Sequence, residues 1–554
     1  MMAESITEMI IPGTYIDVRA EGLIGVSGIA TGNVGIVGTA NKGAVDSVAV
    51  LSSFAEAREI FGEYDAWVDG SSNELTLVRA LQQAFANGGS TVYAVRTAKN
   101  SASAASRALA DGTGDVVVLT ARTKGTWGHN IYVRVKAASQ NGYVENRSQN
   151  ITSDPLQPLH ANIAESPRNA VKLTRADTGQ TFRLKLSTTG SAAKGKVHVG
   201  LVTGVMTFHA DDLPVDGDSI SASYEVLQTA CRDIEMSYLN VKETFTIVDA
   251  TDLKRDIDKA SILVTATIVT GADPRLPDVM TDALALEGGA NGETAGTSQY
   301  TLSLEQLDTE PVNLVVLAGL GFSDAAAALA AHAEKAENAG RERLTFVGAD
   351  EDSASAVAAN ADEMADDRVV LTAPGIKAVD LIGGGQVNLP PAYTAAAVAG
   401  LVASLAVQAS PTNKTLKIPG ITTDYNDGKI KNLLNNRVLV IEKKAGYRVV
   451  KGITTDTGAF KQVSIRRIVD YAKEGVRRAT LPYIGKLNNA RVRGAMYGTL
   501  NGFLSQMVLD EQLTDFQLEV TATREQEIAG VALVTLYLKP TFSIDYVKVI
   551  MNLS

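Results

Sequence analysis

The turn Gly319-Leu-Gly321-Phe-Ser-Asp324 is the stretch whose residue types and spacing come closest to ligand chemistry. It follows a predicted buried strand and begins like the Gly-x-Gly-x-x-Gly loop that binds the pyrophosphate of a dinucleotide. Asp324 stands where the third glycine belongs, and its carboxylate would repel a pyrophosphate. A helix capped by Ser323 or Asp324 explains the same residues. The turn therefore predicts a helix start and no cofactor.

Other residues capable of chemistry form no recognised constellation. Gly383-Gly384-Gly385 lacks the Lys-Ser/Thr of a phosphate loop and indicates a flexible turn. The single cysteine excludes a disulfide framework and a multi-cysteine metal site. Four scattered histidines have no ligand spacing, namely His129, His160, His198 and His209. We predict no catalytic, cofactor-binding or metal-ligating residues and no enzyme, although a convergent triad stays possible.

Composition favours a soluble protein of several domains. The 554 residues are 45% hydrophobic and 20% charged, and the first basic residue follows two glutamates, unlike a secretory signal. The most apolar helical run, Ala395 to Val407, is too short to span a bilayer. A net charge of −11 argues against general nucleic-acid binding. We therefore expect neither direct nucleic-acid contact nor membrane insertion.

Charge is distributed unevenly along the chain. Residues 411–493 contain 18 Lys and Arg but 6 Asp and Glu, a net +12, so the rest carries −23. Copies of such a chain can attract one another, or an acidic partner, in a fixed orientation. A solvated basic face without a partner is the alternative.

Element patterns divide the chain into six predicted parts. Residues 23–100 and 291–390 alternate strands and helices, the second range as a β-α-β-α-β parallel sheet. Residues 101–290 form a β-rich insertion, and 391–540 mix helices and strands. Residues 1–22 and 541–554 are extended arms. A hydrolase or nucleotide enzyme on the 291–390 sheet is the competing functional hypothesis.

Both chain ends are strand-like. In the carboxy-terminal arm, β-branched and aromatic residues lie on both faces: Ile544, Tyr546 and Ile550 on one, Val547 and Val549 on the other. In the amino-terminal arm, Tyr15, Ile16 and Val18 follow a Pro-Gly turn. An apolar terminus is either a central strand of its own domain or a strand lent to a neighbouring chain.

The helix predicted over Gln462–Thr480 has one apolar and one basic side. At 100° per residue, an apolar stripe packs on the domain: Ile465, Ile468, Val469, Ala472, Val476 and Ala479. We expect the cations to point outward toward an acidic partner, or simply into solvent: Arg466, Arg467, Lys473, Arg477 and Arg478.

A series of short motifs runs in a characteristic order along the chain. They are Pro12-Gly13-Thr14-Tyr15-Ile16, Gly35-Ile-Val-Gly38, Phe61-Gly62, Phe85-Ala-Asn-Gly-Gly89, Val92-Tyr-Ala-Val-Arg96, Trp127-Gly-His-Asn-Ile131, Leu286-Glu-Gly-Gly-Ala-Asn-Gly292, Pro390–Leu401, Val450-Lys-Gly-Ile-Thr-Thr455 and Val463-Ser-Ile-Arg-Arg467. Their order and spacing resemble the tail sheath proteins of contractile phage tails and related injection machines. The resemblance does not cover residues 135–285.

That resemblance implies a multidomain α/β fold with a split α+β core built from the two chain ends and with middle domains facing outward. It implies a structural subunit that polymerises helically in stacked rings around a tail tube and contracts to drive the tube through the host envelope. The partners it implies are the tube, baseplate and tail terminator proteins, with assembly in the host cytoplasm and a place in the virion. It also implies that a carboxy-terminal helix touches the tube, and that both terminal arms join sheets shared with adjacent subunits. A bacteriocin sheath, a secretion-system sheath and a static shell or adhesin stay open.

Overall fold

The computed structural model describes residues 29–71, 73–151, 157–272 and 274–552. These residues form two compact units. The core unit contains the described residues within 1–40, 45–97 and 295–554, and the insertion unit contains those within 41–44 and 98–294. The chain therefore leaves the core unit, forms the insertion unit, and returns.

The first part of the core unit supplies three strands and two helices. The sequence predicts strands at Val34–Gly38 and Val92–Arg96 and helices from Ser53 and over Leu75–Phe85, whereas the short strand Val48–Leu51 was not predicted. Ser53 caps the first helix, where its side chain accepts a hydrogen bond from the Glu56 N–H. The second helix ends at Asn87, before Gly88 takes a positive φ of 113°. The elements are β1 (Asn33–Thr39), β2 (Val48–Leu51), α1 (Phe54–Phe61), α2 (Leu77–Ala86) and β3 (Thr91–Thr97).

The insertion unit is dominated by short strands, as the alternating sequence predicts. Its sheets have six, four and three strands, in the orders β11-β10-β9-β8-β12-β7, β14-β13-β6-β16 and β15-β5-β4. A helix capped by Asp249, α3, was not predicted. The elements are β4 (Ser106–Asp111), β5 (Gly114–Ala121), β6 (Tyr132–Ala137), β7 (Gly142–Asn150), β8 (Ala170–Thr174), β9 (Thr181–Ser187), β10 (Lys196–Val199), β11 (Met206–Phe208), β12 (Ser219–Val226), β13 (Arg232–Tyr238), β14 (Val241–Ile247), α3 (Ala250–Ala260), β15 (Val264–Ile268) and β16 (Leu284–Ala285), with 3₁₀ turns at Thr126–Asn130, Ala210–Asp212 and Gln228–Ala230.

The remaining elements complete the core unit. They are α4 (Thr297–Leu304), β17 (Leu314–Gly321), α5 (Phe322–Asn338), β18 (Leu344–Gly348), α6 (Ala354–Asp362), β19 (Val369–Ala373), β20 (Ile376–Val379), β21 (Gln386–Leu389), α7 (Pro391–Ser404), β22 (Thr415–Leu416), β23 (Gly420–Ile421), α8 (Asp427–Asn435), β24 (Leu439–Lys443), β25 (Tyr447–Val449), α9 (Val463–Thr480), α10 (Ala490–Leu509), β26 (Leu513–Thr521), α11 (Arg524–Ile528) and β27 (Leu533–Pro540), with 3₁₀ turns at Glu305–Leu307 and Leu481–Tyr483.

A nine-stranded sheet organises the core unit, in the order β2-β3-β1-β17-β18-β19-β24-β25-β22. The strands from β3 to β24 are parallel, and β1 pairs with both β3 and β17. Along β17, Leu314 and Val316 join the apolar cluster that contains α2 and α7, whereas Val315 and Leu317 join the cluster that contains α5 and α6. Parts of the three ranges 23–100, 291–390 and 391–540 thus share one sheet covered by helices on both faces.

Candidate interaction surfaces of the core unit

Helix α9 packs its apolar stripe on α10, as the periodicity predicts. Ile465, Ile468 and Ala472 are buried against Phe503 and neighbouring residues of α10. Gly475 permits a close helix crossing, because a Cβ there would lie 1.9 Å from the Phe503 ring. The position of α9 is therefore set by packing within its own chain.

Two of the five predicted outward cations point inward instead. Arg466 is 3% exposed and donates to Asp367 at 2.6 Å and to Asp470 at 2.8 Å. Arg467 is 7% exposed and donates to the carbonyl oxygens of Thr31, Leu405 and Ala406. Burial lowers the pKa of Arg467 to about 10. The outward orientation was wrong for both, because distant segments cover this flank of the helix.

The other three cations are partly exposed and already paired. Lys473 lies 2.6 Å from Glu337 and 3.2 Å from Glu342, and Arg477 lies 2.7 Å from Glu342. Arg478 pairs with Glu474 one turn earlier on the helix. The side chains of Lys473, Arg477 and Arg478 remain 37%, 41% and 42% exposed. Contact of this face with a partner stays a prediction.

Arg368 connects α9 to α5 inside the core unit. Its buried guanidinium donates to Glu337 at 2.8 Å and to both carboxylate oxygens of Asp470 at 3.0 Å. The hydrogen bond from Arg368, with help from Lys473, lowers the pKa of Glu337 to about 2. We call Arg368, Glu337, Asp470, Arg466 and Lys473 the ion-pair network. It fixes the basic helix to the sheet and was not predicted from sequence.

The carboxy-terminal arm, residues 541–552 of the described chain, forms no helix or strand. Its large apolar side chains are between 64% and 85% exposed: Phe542, Ile544, Tyr546, Val547, Val549, Ile550 and Met551. Polar contacts hold its first half: Asp545 accepts a hydrogen bond from Gln462 at 3.1 Å and lies 3.4 Å from the Lys451 ammonium, which also donates to the Tyr546 hydroxyl at 3.3 Å. The predicted strand residues therefore lie in solvent in the single chain.

Strands β26 and β27 form a separate two-stranded antiparallel sheet just before this arm. One face packs on α9 and α10 through Phe516, Leu518 and Leu536, while Tyr537 is 67% exposed. Within the described residues neither outer edge of this sheet pairs with another strand. Two-stranded sheets are marginal alone, and open edges accept further strands. Tyr15, Ile16 and Val18, the predicted strand of the other arm, lie outside the described residues.

The glycine turn Gly319–Asp324 leads into a helix, as predicted, but the start of this helix is capped differently from the prediction. Strand β17 continues to Gly321, and α5 begins at Phe322 without a side-chain cap from its preceding residue. Asp350 accepts hydrogen bonds from the Ser323 N–H at 3.0 Å and hydroxyl at 2.6 Å. A carboxylate of the same chain therefore takes the anion position at this helix end. Neither Ser323 nor Asp324 caps the helix as predicted.

Sequence reasoning also missed a buried polar cluster in the insertion unit. The Asp249 carboxylate accepts hydrogen bonds from Arg147 and His160 at 2.8 Å each, and a ring nitrogen of His160 lies 2.7 Å from the Tyr224 hydroxyl. Desolvation, then the neighbouring Asp249, raises the pKa of Asp252 to about 6. His129, His198 and His209, which the sequence also leaves without ligand spacing, are not part of this cluster. The described residues contain no His, Cys, Asp and Glu grouping able to hold a metal, and none of their helices is long and apolar enough to cross a membrane.

Comparison with known proteins places the carboxy-terminal half in one family. Residues 293–455 match the phage tail sheath protein central domain, and residues 455–554 match the phage tail sheath C-terminal domain. No curated protein matches the chain.

Solved sheath proteins share the fold. A sheath tail protein from Desulfitobacterium hafniense is 13% identical, with 96% of this chain and 100% of that chain covered and a TM-score of 0.58. One from Listeria innocua is 14% identical, with 93% of each chain covered and a TM-score of 0.58. The contracted helical sheath of the anti-feeding prophage is 12% identical, with 98% of this chain and 99% of that chain covered. Its TM-score of 0.48 is too low to compare the folds in detail.

Proposed function

Because the chain belongs to the phage tail sheath family through its central and C-terminal domains, we propose that it polymerises helically around an inner tail tube and contracts to drive that tube through a host envelope. The family is a structural one, and the proposed motor needs no cofactor. The same geometry serves a phage tail, a bacteriocin or a secretion-type injection system. In a phage the subunit would assemble in the host cytoplasm and end in the virion tail.

The exposed carboxy-terminal arm is the observation that supports polymerisation. Burying one Val, Ile, Phe or Met side chain stabilises by about 1.5–3 kcal/mol. A strand that buries one of its faces covers three or four of the arm's apolar side chains. The gross gain is then about 5–12 kcal/mol per arm, before the cost of ordering the segment is subtracted. A second copy of this chain would supply that partner surface.

The two-stranded sheet β26–β27 is the proposed acceptor. Strand addition to an open edge supplies main-chain hydrogen bonds, and alternate side chains supply specificity. The arm has the required length and β-branched composition, and each copy would offer one arm and one such sheet. Tyr15, Ile16 and Val18 are proposed to add a further strand in the same way. Exchange of arms would keep the lattice connected while subunits rotate.

Contraction needs two packings of different free energy. Because only that difference drives the change, a few kcal/mol per subunit summed over many copies suffices. We assign the differential contacts to the outer parts of neighbouring subunits. Baseplate and terminator proteins would hold the two ends of the polymer.

Tube contact is assigned to the exposed part of α9. Lys473, Arg477 and Arg478 can approach an acidic tube surface, whereas Arg466 and Arg467 position the helix from within. Replacing Arg477 and Arg478 by Gln should weaken co-sedimentation with tubes while leaving the sheath polymer intact. Tube binding that survives the double replacement would move the contact elsewhere.

Deletion of residues 543–554 tests the proposal. The truncated chain should remain a folded monomer by gel filtration and circular dichroism, yet form no striated tubes in negative-stain electron microscopy. A milder variant, Val547→Ser with Val549→Ser, should reduce tube length. Its matched control, Leu201→Ser with Val202→Ser, changes exposed apolar residues of the insertion unit and should leave tubes unchanged. Normal tubes from the truncated chain would refute arm donation, and discrete particles from the intact chain would favour an enzyme.

A further inference from the structure

One face of the six-stranded sheet in the insertion unit carries a row of cations. Lys172 lies on β8, Arg183 and Lys185 lie on β9, and Lys196 lies on β10. All four are exposed, and the residues that alternate with them lie on the other face, where all are buried except the 46% exposed Phe182. We call these four residues the basic row. It lies in the range that neither sheath domain covers.

Strand register places like charges side by side. Lys172 is directly opposite Arg183, and Lys185 is the neighbour of Lys196 across the next pair of strands. Neighbouring strands lie about 4.8 Å apart, and residues i and i+2 on one strand about 6.7 Å apart. The basic row is therefore a diagonal roughly 12 Å long. Its charges are spaced like those of a linear polyanion.

The protein does not neutralise this row. Salt bridges occur at its margins, from Arg175 to Asp218 and from Lys194 to Asp211. Within the described chain no carboxylate lies within the 4.0 Å ion-pair distance of the four cations themselves. Glu165, near one end, accepts hydrogen bonds from Ser187 and Thr188 and also attracts Lys185 from beyond ion-pair distance, so the row is compensated only in part and only at that end. Since like charges opposite each other destabilise a sheet, the arrangement costs stability unless a ligand supplies anions.

The side chains around the basic row restrict the class of ligand that this face could bind. On β8, β9 and β10 no Phe, Tyr or Trp shares this face, and the adjoining β12 contributes Ser219, Ser221 and Ser223. At the far end of β12, Glu225 and the Tyr143 opposite it both lie against Arg168. Protein interfaces are enriched in aromatic residues and poor in lysine. Single-stranded nucleic acid requires aromatic stacking platforms. A hydroxyl-rich, basic and flat face fits neither.

We propose that this face binds a linear anionic polysaccharide that carries sulfate, phosphate or carboxylate groups. A flexible chain can follow the diagonal and place an anion at each cation, while serine hydroxyls bond to its sugar oxygens. A DNA duplex is a rigid cylinder and can bring only the nearest phosphates to a flat face. This inference is independent of the proposed sheath function.

Binding of the full-length chain to fluorescent heparin, measured by anisotropy, tests the inference. With four cations releasing counterions, affinity should fall about 100-fold between about 50 and 200 mM salt. Lys172→Thr with Arg183→Thr should weaken binding at least tenfold at low salt and reduce the salt dependence by about half. Thr keeps the strand propensity of both sites. The matched control, Lys254→Gln with Lys259→Gln, removes equal charge from α3 of the same unit and should bind as the parent does.

Each alternative outcome overturns the inference. If the chain does not bind heparin at low salt, the proposed ligand class is wrong. If the control variant loses as much heparin affinity as the basic-row variant, the proposed site is wrong. Duplex DNA bound as tightly as heparin would make the row a general polyanion or nucleic-acid surface. Binding of uncharged dextran would show that charge is not what the face recognises. Thermal unfolding of each variant distinguishes loss of the surface from loss of the fold.

Discussion

Replacing Arg368 by Met tests how α9 is held to the core unit. The guanidinium is 2% exposed and bonds to Glu337, Asp470 and the Arg343 carbonyl. Met fills similar space but leaves Asp470 with Arg466 as its remaining cation. Removing one partner of a buried ion pair costs about 3–5 kcal/mol, because the other charge stays buried without compensation. We expect the free energy of unfolding of the core unit to fall by about 3 kcal/mol.

The two tryptophans make the measurement specific. Trp67 lies in the core unit and Trp127 in the insertion unit. In a Trp127→Phe background, urea unfolding followed by fluorescence reports the core unit. The matched control is Arg478→Met, which removes a surface ion pair and should cost less than about 1 kcal/mol. If Arg368→Met lowers the free energy of unfolding no more than Arg478→Met does, the ion-pair network does not hold α9 to the core unit.

Acid gives a second readout of the same network. The pKa of Glu337 is about 2 in the folded chain, below its ordinary value of 4.5. A carboxyl group whose pKa is lower in the folded chain than in the unfolded chain stabilises the fold at pH values above its unfolded-state pKa. That stability is lost as pH falls from about 4.5 toward 2. Because Glu337 is partly exposed, we discount the effect to about 1 kcal/mol. Arg368→Met removes the largest cause of the shift, so its acid loss should be smaller than that of the parent.

For three further substitutions, the structure predicts whether stability rises or falls. Gly475→Ala should destabilise the core unit by about 1–3 kcal/mol in urea unfolding, because the new Cβ meets the Phe503 ring. Arg183→Thr should stabilise the insertion unit by about 0.2–1 kcal/mol in thermal unfolding, because it removes the charge opposite Lys172. Asp252→Asn should stabilise the insertion unit by about 1–2 kcal/mol at neutral pH, since burial raises the pKa of this carboxyl to about 6.

Controls distinguish these effects from general perturbation. Gly498→Ala on α10 adds a Cβ with no atom within 4 Å and should stabilise by up to about 1 kcal/mol. Arg183→Lys keeps the charge and should change little. The Asp252→Asn gain should vanish near pH 4, where the folded parent is itself protonated and the penalty of the buried charge is gone. A constant gain across pH would contradict the assigned cause.

Local patterns predicted most elements of the core unit because each carries its own periodicity. The stripe of α9 and the strands β1, β3 and β17 lie within a few residues of the ranges that the sequence predicts, which for β17 is Val312–Leu317. The joining of β1 to β17 depends on contacts between residues almost 300 apart in sequence, and no local signal encodes them. The helix α3 was missed because its cap, Asp249, stands inside a β-rich stretch.

The candidate surface was harder to predict than the fold. Helical spacing correctly placed Ile465 and Ile468 inside, yet it also assigned Arg466 and Arg467 to solvent. Their partners, Asp367 and the Thr31 carbonyl, come from segments far away in sequence, so charge alone could not locate them. The apolar composition of residues 541–552 is a property of the sequence itself, but their predicted strand is not formed in the single chain, and their pairing with another copy stays a prediction.

A near-atomic electron microscopy map of the assembled polymer tests the central claim most directly. We predict that residues 542–552 appear as a strand hydrogen-bonded to an edge of β26 or β27 in an adjoining copy, with Ile544 and Val547 on opposite faces of that strand. An arm that instead returns to its own chain, or remains in solvent within an intact polymer, would contradict the account.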